Sequence, residues 1–227
     1  MSCLLSFFKE NENKVAMQKF YKFREVDMLN TFNIKTVYTC EVLENWLKNN
    51  DSVSDFEDKT LDLALNRFAE LGKAWNEEEL KMHFISAILS VANPNITNVC
   101  KTYFERPLEG VVNNYQMQIV TDCMIASPRP GGDPEKPYFF LQEFKQAQRF
   151  GRTDPQGQML AAMLLAQQIN ADDKYIYGCY VIEKNWHFAT LNGLDYCTSQ
   201  QYNSTRKEEL LQIVFALKKL KELIVNR

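Results

Sequence analysis

Apolar residues recur at helical spacing through much of the first 75 positions, and alternate with polar ones in the middle of the chain. Val42, Leu43, Trp46 and Leu47 predict a helix over 41–48, and Leu61, Leu65, Phe68 and Leu71 predict another over 59–73. The stretch 14–29 mixes apolar and basic residues and reads as helical, whereas 51–58 is acidic and reads as a loop or a helix start. A further helix opens at Asn76, whose side chain suits an N-cap, and Glu77, Glu78 and Glu79 fill the first turn, where the helix dipole favours carboxylates. Leu80, Phe84, Ile85, Ile88 and Leu89 form its buried side, and Asn93-Pro94-Asn95 ends it.

From Tyr115 to Ala126 the period becomes two, which predicts a strand. Four prolines and two glycines in 128–137 predict a loop, and 138–145 is a second strand rich in aromatics. Asp154 caps and Pro155 opens a helix that runs to about Asn170. Two more strands, 175–182 and 186–191, form a hairpin across Glu183-Lys184-Asn185. Thr205 and Glu208 stand at capping-box spacing before a last amphipathic helix carrying Leu210, Leu211, Val214, Phe215 and Leu217. Helices and strands in this order predict an α/β domain, a mixed sheet flanked by helices, over 76–227, with a helical N-terminal extension over 1–75.

Composition narrows the function classes. The chain has 227 residues, 45% hydrophobic and 24% charged, ordinary for a soluble globular protein with a sizeable core. No apolar run approaches the roughly 20 residues of a membrane helix, and the apolar start at Cys3 to Phe8 is too short for a signal peptide, so a cytoplasmic protein with no membrane partner is expected. The six cysteines have no C-x-x-C spacing and read as reduced buried thiols. The two histidines, His83 and His187, lie in apolar segments and read as core or surface residues. A net charge of −3 gives no global basic field, so nucleic acid would need a local patch.

The candidate chemistry lies on the first two predicted strands. Glu143 and Lys145 are two apart and share one face, opposite Phe140, Gln142 and Phe144. A charged pair at the end of an apolar strand is costly to bury without purpose. Asp122 interrupts the apolar run of the preceding strand, and pairing of the two strands would bring Asp122 and Glu143 close enough to share a divalent cation. Two carboxylates suit a hard cation such as Mg²⁺ or Mn²⁺, which keeps open positions for water and phosphate. Such a cation acidifies its bound water, and Lys145 would orient the attacking water or stabilise developing charge.

Asp122, about twenty residues and then Glu143-Phe144-Lys145 resembles the D…E-x-K signature of the PD-(D/E)XK nuclease superfamily, and the helix–strand–strand–helix–strand order is similar to its core. With Asp154-Pro155-Gln156-Gly157-Gln158 following, the segment is similar to small bacterial members and to the N-terminal nuclease portion of type I restriction endonuclease subunits. The resemblance covers roughly 76–192, and Thr121 stands where many members have proline before the aspartate. It implies a restriction-endonuclease-like fold and metal-dependent hydrolysis of phosphodiester bonds in nucleic acid, DNA before RNA. By the same resemblance Asp122 and Glu143 bind metal, Glu77 (with Glu78 behind it) adds a helix-borne carboxylate, Lys145 is catalytic, and Gln158 contributes from the next helix.

Three alternatives stay open. The tripeptide E-x-K also occurs at Glu12–Lys14, Glu57–Lys59 and Glu79–Lys81, so only its setting distinguishes Glu143–Lys145, and Asp122 with that pair could be a structural ion-pair cluster. The chain could also keep the fold as an inactive binding or scaffold module for nucleic acid or a protein partner, or act as a Mg²⁺-dependent hydrolase of small molecules. Arg149 and Arg152, in a segment without acidic residues, are candidates for contact with a phosphate backbone. Whether the chain forms a homo-oligomer is left open.

Overall fold

The computed structural model describes residues 17–48, 51–145 and 153–227. A mixed nine-stranded sheet runs through it: β1 (Gln18–Phe20), β2 (Lys35–Thr36), β3 (Lys101–Val112), β4 (Tyr115–Pro128), β5 (Pro134–Lys145), β6 (Ile176–Ile182), β7 (Asn185–Asn192), β8 (Asp195–Thr198) and β9 (Tyr202–Asn203). The main path is β1-β4-β5-β6-β7-β8-β2, with β3 on β4 and β9 on β7. β5 and β6 are parallel, joined by a crossover helix, and most other neighbours are antiparallel.

The helices are α1 (Glu25–Phe32), α2 (Glu41–Leu47), α3 (Asp55–Leu71), α4 (Glu77–Leu80), α5 (Ser86–Ala92), α6 (Pro155–Asn170) and α7 (Lys207–Val225). A π-helical turn, Lys81–Ile85, joins α4 to α5 without a break, so six helical bodies flank the sheet. On one side α1 and α6 bury Met28, Phe32, Leu160 and Met163 against Met117, Met124 and Leu141. On the other, α2, α3, α5 and α7 bury Trp46, Leu61, Ile88 and Leu217 against Phe140, Val181 and Phe188. Among the described residues no helix is long and apolar enough to cross a membrane.

Local signals account for most helix starts. Asn76 accepts the Glu79 N–H at 2.9 Å and Glu79 returns a bond to the Asn76 N–H at 2.7 Å, a complete capping box. Ser54 and Glu57 do the same for α3. Asp154 caps two helices: Oδ1 accepts the Gly157 N–H of α6 at 2.5 Å and Oδ2 accepts the Glu25 N–H of α1 at 3.0 Å. The two helix starts pack so closely that a methyl group at Gly157 would collide with the backbone of Phe23 and Arg24.

Four expectations need correction. The first 75 residues are not wholly helical: β1 joins β4 and β2 joins β8, both in parallel, and the helix expected within 14–29 starts only at Glu25. Lys101–Val112, not foreseen as a strand, is the long antiparallel partner of β4. The loop expected over 128–137 is shorter, because β5 already begins at Pro134. The capping box at Thr205 does not form: the Thr205 hydroxyl donates to Asn203 Oδ1, Arg206 holds the N-cap position, and α7 starts at Lys207.

Candidate active site

One edge of β4 is shared between two partners. Its early residues, Tyr115–Met117, pair with β1, and its late residues, Cys123–Pro128, pair with β5. The ladder with β5 ends at Cys123↔Gln142, and beyond it the strands fork. Asp122 stands at the fork. Its Oδ2 accepts the Phe144 N–H at 2.6 Å, so a side chain takes over where the backbone ladder stops. This short charge-assisted bond fixes the carboxylate against β5.

The alternation of β5 delivers Glu143 and Lys145 to the same place. Glu143 is only 3% exposed, and its Oε1 lies 3.2 Å from Lys145 Nζ. Lys145 Nζ also lies 3.5 Å from Oε1 of Glu77, from the first turn of α4. Four of the residues expected from sequence, Asp122, Glu143, Lys145 and Glu77, therefore converge. Gln158 does not join them: it is half-buried in the first turn of α6, and among the described residues its side chain has no hydrogen bond to the group. Arg149 and Arg152 lie outside the described residues.

Lys81 and Glu105 are the members that sequence reasoning missed. Lys81 Nζ lies 2.8 Å from Asp122 Oδ1, 3.2 Å from Glu78, 3.4 Å from Glu77 and 3.5 Å from Glu105. A signal for Lys81 was present, since it stands four residues after Glu77 and so on the same helix face. Glu105 sits in mid-strand on β3 with φ of +50°, flanked by the pairs Phe104↔Cys123 and Arg106↔Thr121, and so faces Asp122. A non-glycine residue in the left-handed region inside a strand is strained, and such strain concentrates at functional sites.

The electrostatics follow from five carboxylates gathered round two ammonium groups. Burial pushes the Glu143 carboxyl up to about 8, the Asp122 charge adds to the rise, and Lys145 opposes it. Burial also raises Glu105, against the pull of Lys81. For Lys145, burial works to lower the pKa, but the charges of Glu143, Asp122 and Glu77 outweigh it and hold the group protonated. Lys81 behaves alike: the bond and charge of Asp122 outweigh its burial.

The donors are all carboxylate oxygens, the kind a hard cation takes. Their present arrangement is closed around ammonium groups, and among the described residues no three His, Cys, Asp or Glu side chains are set to hold a metal ion. The histidines stand apart from this group: His83 packs on Trp75 at 5.3 Å, and His187 stacks on Tyr180 at 4.6 Å.

No family model matches the chain, and no curated protein matches it.

Proposed function

We propose that the chain is a divalent-cation-dependent phosphodiesterase acting on nucleic acid, DNA in the first instance, built on a restriction-endonuclease-like core. The observation that carries this reading is the meeting of Asp122, Glu143 and Lys145 at the fork between β4 and β5, with Glu77 reaching in from α4. A purely structural ion pair needs two partners, whereas here five carboxylates crowd two cations and leave a surplus of negative charge. Such a surplus suits a site that takes up a further cation.

Asp122 and Glu143 would hold Mg²⁺ or Mn²⁺, with Glu77 beside them. When bound, the cation lowers the pKa of its water and offsets charge on the phosphate. The chain's own groups position the reaction. The backbone bond from Phe144 fixes Asp122, and Glu143 and Glu77 hold Lys145 Nζ from two directions. An ammonium so held can orient a water for attack on phosphorus, or stabilise the charge that develops as the phosphorus–oxygen bond to the leaving group breaks.

Cleavage of plasmid DNA and of a single-stranded oligonucleotide, with and without Mg²⁺, tests the proposal. Asp122→Ala and Lys145→Ala should keep the circular dichroism of the parent and lose at least about 100-fold in rate. Normal cleavage by either variant refutes it, and tight DNA binding by the parent without cleavage would indicate a binding or scaffold module instead.

A further inference from the structure

We infer that Lys81 is a resident counter-ion of the cation site, which must leave Asp122 before a divalent cation can enter; the inference rests on the proposed function above. Both oxygens of Asp122 are engaged, and in unequal ways. Oδ2 is held by a backbone N–H at 2.6 Å, a partner that cannot move without breaking the strand fork. Oδ1 is held by Lys81 Nζ at 2.8 Å, a partner on a flexible four-carbon stem. Oδ1 is thus the oxygen that can be given up to another cation, and Lys81 stands in the way.

The surroundings of Lys81 resemble a cation's coordination shell. Its Nζ gathers carboxylates from three separate elements: Glu77 and Glu78 of α4, Glu105 of β3 and Asp122 of β4. Its side chain is only 15% exposed, but two of the carboxylates that hold its Nζ, those of Glu78 and Glu105, are 74% and 62% exposed, so the cluster opens to solvent on that side. The helix that carries it is irregular at that position, since the π-helical turn Lys81–Ile85 begins with this residue. Such turns are frequent at functional positions.

Without metal, Lys81 therefore keeps the carboxylates from repelling one another. With metal, its charge is redundant and it swings outward. Lys145, which touches Glu143 and Glu77 and not Asp122 Oδ1, can stay.

Mn²⁺ binding by isothermal titration calorimetry tests the exchange on the parent, Lys81→Gln, Lys81→Arg and Asp122→Asn. Lys81→Gln should bind Mn²⁺ at least about tenfold more tightly than the parent, melt lower without metal and regain more on Mn²⁺ addition, while Lys81→Arg should bind no more tightly than the parent. Equal or weaker Mn²⁺ binding by Lys81→Gln overturns the inference. Should that variant not fold, the parent with ¹³C-labelled lysine decides. Mg²⁺ should shift the Lys81 ε-methylene resonance, assigned with Lys81→Arg, and leave the remote Lys207 unmoved; an unmoved Lys81 overturns the inference. Failure of the functional reading looks different: Asp122→Asn would then bind Mn²⁺ as the parent does, or no protein would bind it.

Discussion

Replacing Glu143 by glutamine removes one titration while keeping the size of the side chain and its capacity to accept hydrogen bonds. The carboxyl is 97% buried, beside the Asp122 charge, and its pKa rises from 4.5 to about 8. Below pH 4.5 it is protonated in the folded and the unfolded chain alike. Between 4.5 and about 8 the unfolded chain loses this proton while the folded one keeps it, so stability falls as pH rises, by about 1.4 kcal/mol per unit. Over the whole window the loss is on the order of 4–5 kcal/mol, and glutamine does not suffer it. At about 2–4 °C per kcal/mol for a chain of this size, the melting temperature of Glu143→Gln should gain on that of the parent by on the order of 10 °C. Thermal unfolding of both proteins in chelator, at half-unit steps from pH 5 to pH 8, measures it. A gap between the two melting curves that stays constant across that range would refute the account of a buried, charge-crowded carboxyl.

The same carboxyl must ionise to bind a cation. Mg²⁺ affinity should thus rise about tenfold per pH unit up to about 8, with release of close to one proton, readable by calorimetry in buffers of different ionisation enthalpy. Asp154→Ala should lower stability by about 2–3 kcal/mol in urea unfolding, because one side chain caps both α1 and α6, and each cap contributes about 1 kcal/mol or more. A loss below 1 kcal/mol would show that the second cap contributes nothing.

How far the sequence alone reaches depends on whether a signal is local. The apolar stripe of α7, the caps at Asn76 and Asp154 and the shared face of Glu143 and Lys145 rest on residues close in the chain, and each matches the structure; in the stripe of α3, Leu61 is buried, Leu65 and Phe68 are half-buried, and Leu71 at the helix end is exposed. β3 was hidden because its buried residues change phase. Tyr103 and then Leu108 and Val112 face the same core, five and four apart, with Glu105 in the left-handed region between the first two. β1 and β2 have three and two residues, too few for any period, and exist only because β4 and β8 offer them an edge. The E-x-K spacing of Glu79 and Lys81 carries no contact on a helix, where the partner of Lys81 is Glu77, four residues back. The expected contribution of Gln158 depended on how α6 is rotated, which packing of its buried faces decides and spacing does not.

The seating of β1 has a further consequence. Gln18–Phe20 occupy the stretch of β4 that β5 has vacated, and Phe20 packs edge-on against Phe23, Phe32 and Tyr115. A chain trimmed past Phe20 would present bare N–H and C=O groups beside an uncovered aromatic nest, a template that another molecule's strand can adopt. Chains shortened at this end should therefore self-associate before they lose the rest of their structure, and the place where they join, Tyr115–Met117, would lie on the same strand as Asp122.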